Sequence, residues 1–463
     1  MGFAPFKVHG YLGAVRRCGT SAYEQCSFAT NRSDFMSRPN FQQAKQSGGM
    51  RQPNAAAQAR LASIAEKFRA AYSIGDFQSG AKFAEEALQI TPGNMSILPD
   101  YALCLMRTNA FDHAYRVYMC IHNAPASQRK LASPTWLDGL VEVCGWLGKT
   151  EEMREYGLRS LRASDAKCAA NPSEPIPDSP PPAFNPAKPA ENVIAYSLFG
   201  SNPRYCEPAV MNAEMTRDVF KGWTCRVYLD ATVPEHVQRR LKEAGAEVVF
   251  MDRDSGVHPL MWRFLVIDDS SVKRFLLRDA DALLSEREYA AVQEWVKSPY
   301  YFHIIRDYFT HTELILAGLW GGCAGILHNA VGSMQQFVAK NTNSGRFIDQ
   351  HYLRENVWPT LRKSVLSHDD LFGFHDAKPF PPHAPNRWNT EKFHVGSNTS
   401  YQAIGGTSAL SEGAEQRLIF SSADGKPLFD YHAAVQNGEW RLDMPFFVVQ
   451  KIASQELVVR RDE

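Results

Sequence analysis

With 463 residues, 44% apolar and 22% charged, the chain has the composition of an ordinary globular protein long enough for two or three domains. A formal net charge of zero gives no global field toward nucleic acid or an anionic membrane, so neither is an expected partner. The nine cysteines form no C-x-x-C or C-x-x-H pair, which sets aside a disulfide framework and a zinc module and predicts reduced thiols in a cytoplasmic setting.

Residues 1–54 are rich in Ser, Gly, Gln, Asn and Arg without sustained periodicity, which predicts disorder. Lys7, Arg16 and Arg17 without any acid before residue 24 leave a targeting role open for this segment. From Ala55 apolar residues recur at helical spacing (Leu61, Ile64, Phe68, Ala71, Tyr72) until Gly75-Asp76-Phe77 breaks the run. A second helix follows, with small residues at Ala81, Ala84 and Ala87. The break recurs at Asn109-Ala110-Phe111-Asp112, with 34 residues from Phe77 to Phe111, and more loosely at Leu147-Gly148-Lys149. Residues 55–168 therefore resemble tetratricopeptide repeats, whose period is 34; a generic bundle of helical hairpins is the alternative. Such arrays stack into a concave surface that usually binds another chain. Residues 169–190 hold Pro172, Pro175, Pro177, Pro180, Pro181, Pro182, Pro186 and Pro189, which predicts an extended, semi-rigid linker.

Beyond the linker the texture alternates. Apolar runs at residues 192–198, 225–230, 247–250 and 275–277 read as strands. The intervening stretches, about 206–220, 234–244 and 260–268, read as helices. Repeated strand–helix units of this length predict a mostly parallel sheet with flanking helices, and such sheets bind ligands outside the carboxyl ends of their strands. The fourth of these strands runs into Arg278-Asp279-Ala280-Asp281. A D-x-D at a strand end aims two carboxylates toward one spot, and two hard oxygen ligands suit Mg²⁺ or Mn²⁺ together with a substrate diphosphate. A second D-x-D, Asp252-Arg253-Asp254, has no comparable support. The best apolar run, Leu314 to Leu327, is interrupted by glycine and falls short of the ~20 residues needed to span a bilayer. No P-loop, G-x-G-x-x-G, G-x-S-x-G or H-E-x-x-H is present. Residues 401–463 read as a β-rich extension with a hairpin turn at Asn437-Gly438, and no function is assigned to it.

The order of these parts resembles a GT-A-type glycosyltransferase, and within that class the glycogenin and lipopolysaccharide galactosyltransferase type. The resemblance covers residues 192 to about 400. It rests on Asp279/Asp281, on Trp320-Gly321-Gly322-Cys323-Ala324-Gly325, on Asp349-Gln350 and on His394-Val395-Gly396. His351 stands where that type has an acidic residue, and Ser397-Asn398 replace its Lys-Pro-Trp. The resemblance implies an enzyme transferring a sugar from a nucleotide-diphosphate sugar, with a UDP-sugar favoured, to a glycan or protein acceptor. It implies Mn²⁺ or Mg²⁺ held by Asp279, Asp281 and His394. It places Tyr196, Ser197 and Gly200 against base and ribose, Arg263 and Arg278 against phosphate, and Trp320, Gly321 and Gly322 against the sugar. Asp307, Asp349, His368 and Asp369 are the candidate catalytic groups on the acceptor side, with Ser367 to Asp370 read as a loop where a general base would sit. Each has a bland alternative, such as a turn, a loop ion pair or a helix cap. Two other readings of the whole chain are a non-catalytic repeat scaffold and a nucleotidyltransferase. The single glycine of Phe199-Gly200-Ser201-Asn202 counts against the second.

Overall fold

A computed structural model of the chain describes residues 54–253, 256–341, 348–388, 393–399 and 401–462. The expectation of disorder for the first 53 residues, and Asp254 of the second D-x-D, lie outside the described residues.

The amino-terminal part is three helical hairpins: α1 (Ala55–Ser73) with α2 (Phe77–Ile90), α3 (Leu98–Arg107) with α4 (Phe111–Asn123), and α5 (Trp136–Trp146) with α6 (Thr150–Cys168). Each hairpin turns through a left-handed residue, Gly75, Asn109 or Gly148, with φ of 76°, 61° and 68°. In each turn the next amide reaches the carbonyl five residues back: Asp76 to Ala71, Ala110 to Leu105 and Lys149 to Cys144, all at 2.9 Å. This cap satisfies carbonyls that a helix end leaves orphaned. The repeat seen in the sequence is therefore one backbone turn used three times.

The second part is built on a seven-stranded sheet. Its strands are β1 (Asn192–Leu198), β2 (Thr224–Leu229), β3 (Glu247–Phe250), β4 (Arg274–Leu277), β5 (Phe302–Arg306), β6 (Trp320–Cys323) and β7 (Val365–Asp369), in spatial order β3-β2-β1-β4-β6-β5-β7. All pairings are parallel except those of β6, which runs antiparallel to both neighbours. Helices α7 (Pro203–Asp218), α8 (Glu235–Glu243) and α9 (Glu286–Val296) fill the crossovers. β2 and β3 leave β1 on one side while β4 lies on the other, so the carboxyl ends of β1 and β4 form a topological switch point.

The helix expected at about 260–268 is a 3₁₀ helix, Pro259–Asp268, that buries Trp262 and Phe264. Two elements differ from expectation. Trp320-Gly321-Gly322 is a buried strand rather than a turn. Ser367, His368 and Asp369 end a buried strand rather than forming a loop.

Residues 171–188 hold no helix or strand, yet they do not hang free as a spacer. They lie across the amino ends of the sheet. Arg274, the first residue of β4, donates from Nε and Nη2 to the Pro182 carbonyl at 3.1 and 2.7 Å. Asn192, the first residue of β1, donates to the carbonyls of Asn185 and Lys188 at 3.2 and 3.3 Å. The Tyr301 hydroxyl donates to Ser179 O at 2.8 Å, and Phe184 stacks on Trp223 at 5.5 Å. The third hairpin also packs on the sheet domain. Trp146 meets Phe309 edge-on at 5.1 Å, and the Asp165 carboxylate accepts from Trp358 Nε1 at 2.7 Å and Arg362 Nε at 2.8 Å.

The carboxyl-terminal part is a five-stranded antiparallel sheet: β8 (Tyr401–Thr407), β9 (Glu415–Ser422), β10 (Pro427–Gln436), β11 (Glu439–Pro445) and β12 (Leu457–Arg461). Asn437 and Gly438, with φ of 54° and 74°, turn β10 into β11. Glu207 of α7 fastens this sheet to the first: it accepts two bonds from Arg240 at 2.7 and 2.8 Å and one from the Tyr431 hydroxyl at 2.7 Å.

Candidate functional site

The D-x-D follows β4 directly at the switch point. Arg263, on the 3₁₀ helix, reaches its first carboxylate. The Arg263 amide donates to Ser197 Oγ at 2.9 Å, which ties the 3₁₀ helix to β1. Its guanidinium pairs with Asp279, donates to the Arg278 carbonyl at 2.9 Å and reaches Asp349 Oδ2 at 3.2 Å. One buried cation thus gathers the first D-x-D carboxylate and the Asp349 carboxylate, which opens α10 (Ile348–Tyr352). Burial pushes the Asp349 carboxyl up to about 6, with Arg263 opposing. Gly318 has a specific purpose here. A Cβ at that position would fall 2.1 Å from Asp279 Oδ2, so only glycine leaves room for the carboxylate.

Asp281 has a different partner. Arg204 Nη2, in the first turn of α7, lies 3.2 Å from its Oδ2. Burial, and then the negative charge of Asp279, raise the Asp281 carboxyl above its ordinary value while Arg204 lowers it. The Arg204 guanidinium lies over two rings, Tyr205 at 5.3 Å and Tyr401 at 4.7 Å. Sequence reasoning missed all three residues. Asn202-Pro203-Arg204 has the form of a capped helix start, with Pro at its first position, immediately after β1, and that signal was available. Tyr401 arrives from the other sheet and carries no local signal.

The late segment around His394 does come back to the D-x-D. The Thr399 amide donates to the Asp281 carbonyl at 2.8 Å, and Ala282 bridges to Asn398. The Val395 amide donates to both oxygens of Asp307, at 3.1 and 3.0 Å. His394 itself stacks flat on Tyr308, with ring centroids 3.8 Å apart. Among the described residues no three His, Cys, Asp or Glu side chains are grouped to hold a metal. The two carboxylates still suit a hard divalent cation. The negative charge of Asp279 raises the cost of charging Asp281, and Mg²⁺ commonly takes one or two carboxylates with waters and substrate phosphates for the rest.

Several other expected contacts are displaced into the core. Tyr196 is fully buried in mid-strand, so it presents no ring to a base. Ser197 spends its hydroxyl on the 3₁₀ helix, and Gly200, at φ 78°, is a turn glycine whose amide donates to Thr232 Oγ1 at 2.7 Å. Arg278 is buried in a pair with Glu288 rather than turned toward phosphate. Trp320 is fully buried and edge-on to Phe275 at 5.3 Å, leaving no face for a sugar ring. His368 is also fully buried. It bonds His303 at 2.8 Å and reaches Glu294 at 3.3 Å, and burial lowers its basicity. Asp369 accepts from the amides of Leu371 and Phe372, both at 2.8 Å, and so shapes the turn after β7. Asp307 is likewise committed to the Val395 amide, and burial pushes its carboxyl up to about 7.

Gly321 and Gly322 are glycines for packing, not for ligand approach. A Cβ on Gly321 would fall 2.5 Å from the Phe275 carbonyl oxygen, and one on Gly322 2.7 Å from the Phe302 ring. Gly321→Ala is therefore expected to destabilise the protein by roughly 1–3 kcal/mol, as overpacked cores do. Chemical denaturation checks this; an unchanged midpoint with weakened ligand binding would return Gly321 to the ligand site.

No family model matches the chain, and no curated protein matches it. Among solved structures it is similar to an O-GlcNAc transferase mutant of Thermobaculum terrenum, at 14% identity over 44% of this chain and 42% of that one, with a TM-score of 0.22. It is also similar to the mannosyltransferase Ktr4p of S. cerevisiae, at 12% identity over 43% of this chain and 58% of that one, with a TM-score of 0.18. The same mannosyltransferase in complex with GDP matches at 11% identity over 43% of this chain and 59% of that one, with a TM-score of 0.18. The matched part spans between 42% and 59% of those chains.

Proposed function

We propose that this chain is a glycosyltransferase that takes a sugar from a nucleoside-diphosphate sugar, with a UDP-sugar as the favoured donor. The observation that carries the reading is the position of the D-x-D. It lies at the carboxyl end of β4, at the switch point of a mostly parallel sheet, where an open crevice is expected to take a ligand. Asp279 and Asp281 would hold Mn²⁺ or Mg²⁺. The cation would supply Lewis-acid stabilisation of the departing diphosphate. Arg263 positions Asp279 and Asp349 relative to each other, which keeps the metal-binding carboxylate and the buried acid on one rigid support. Asp349 is the best-placed acid for the acceptor side, since it alone of the four candidates lies beside the D-x-D support. Among the described residues no helix is long and apolar enough to cross a membrane. The acceptor would be a glycan or a protein. The third hairpin braces the sheet domain through Trp146 and Phe309, and the first two hairpins are our candidates for holding an acceptor or partner chain.

Thermal stability against UDP-, GDP- and CMP-sugars, with and without Mn²⁺, tests this reading. A ligand at about 100 times its Kd should add roughly 2.7 kcal/mol. One nucleotide class is expected to stabilise the wild type only with metal, and an Asp279→Ala/Asp281→Ala variant is expected not to respond. Silence of the wild type toward every pair would leave the non-catalytic scaffold as the surviving reading.

A further inference from the structure

Arg204 is held from three sides. Its amide donates to the Asn202 side chain at 2.9 Å, its guanidinium lies over the rings of Tyr205 and Tyr401, and Nη2 reaches Asp281 at 3.2 Å. The carboxylate it reaches is the second aspartate of the D-x-D. The two rings attract the guanidinium through their faces. The helix that carries Arg204 is 16 residues long and opens at the carboxyl end of β1, so its amino end also faces the switch point.

From this arrangement we infer that Arg204 and a divalent cation compete for Asp281, and that the displaced guanidinium binds the diphosphate of the donor. The inference rests on the transferase reading above. A metal ion at the D-x-D would sit close to a guanidinium already on one of its oxygens, and two cations on one carboxylate repel. A planar guanidinium matches a diphosphate bidentately, so the side chain gains a partner as it loses one. The backbone stays fixed by the Asn202 cap, and the exchange is a side-chain motion beside the two tyrosine rings. The otherwise unassigned carboxyl-terminal sheet then has a part in the site, because Tyr401 is its first described residue. Donor binding and metal binding become coupled: the cation frees the arginine, and the arginine holds the anion.

The test uses the full chain. Mn²⁺ affinity alone and UDP or GDP affinity at saturating Mn²⁺ are measured by titration calorimetry for wild type, Arg204→Gln and Tyr401→Leu. Arg204→Gln is expected to tighten Mn²⁺ about five- to tenfold and weaken the nucleotide at least tenfold, from the loss of one charge-assisted pair on each side. Tyr401→Leu should shift both in the same directions by smaller factors. A merely structural Arg204 would weaken both affinities together, and that result overturns the inference while the transferase reading stands. If the wild type binds neither Mn²⁺ nor any nucleoside diphosphate, both fall.

Discussion

Arg278→Ala is expected to lower the stability of the protein by about 3–5 kcal/mol, the cost of leaving one member of a buried ion pair alone. The Arg278 and Glu288 side chains are 4% and 2% exposed. Nε of Arg278 bonds Glu288 Oε1 at 2.5 Å, and Nη1 donates to the carbonyls of Leu277 and Trp320 at 2.7 and 2.9 Å. The side chain thus ties β4, β6 and α9 together. Burial raises the Glu288 carboxyl and only Arg278 opposes it, so truncating the arginine strands a carboxylate in the core. Urea unfolding of the single variant should show the loss. A double Arg278→Met/Glu288→Leu variant should recover most of it, because an apolar pair of similar volume replaces a buried ion pair with little net cost. Loss of nucleotide affinity at an unchanged unfolding midpoint would contradict this and make Arg278 a phosphate ligand.

Asp281→Asn is expected to act in the opposite way, with the fold intact and the reaction lost. Metal stabilisation of a leaving diphosphate supplies several kcal/mol, so losing it should cut the transfer rate by roughly a thousandfold. The amide keeps the shape of the carboxylate and can still accept from Arg204. It also removes a charge that burial and Asp279 both disfavour, so stability should hold or rise slightly. The pair of readouts is the initial rate of donor turnover and the unfolding midpoint. A full rate in the variant would rule out a metal role for Asp281, and a parallel fall in both would make the residue structural.

The two predictions separate neighbours three residues apart, and that separation was not readable from sequence. Position on the fold was. Apolar runs between turn residues placed β1 to β4, and the D-x-D falls where expected, just past Leu277. The helical turns were readable because Gly75 and Gly148 favour a left-handed backbone and Asn109 tolerates one. The strand Trp320–Cys323 was not, since two glycines carry no strand pattern and their reason is the close approach of Phe275 and Phe302. Ser367-His368-Asp369 reads as a loop because a run of polar residues usually lies outside the core. Here the His303 ring partners His368 and the amides after β7 donate to Asp369. The site's cross-links, Arg263 to Asp349 and Arg204 to Tyr401, join residues far apart in sequence, and nothing local announces either.

The proline-rich segment beneath the sheet carries a consequence for how the molecule comes apart. By composition it is the natural place to divide the chain, but its carbonyls are acceptors for Arg274 and Asn192, the opening residues of β4 and β1. A fragment beginning at Asn192 would strip the fully buried Arg274 of the carbonyl that takes two of its donors. The segment works as a seam rather than a hinge. It is stitched to the sheet while the Trp146–Phe309 and Asp165–Trp358 contacts hold the third hairpin there, and the smallest self-sufficient piece of the sheet must bring its stitching with it.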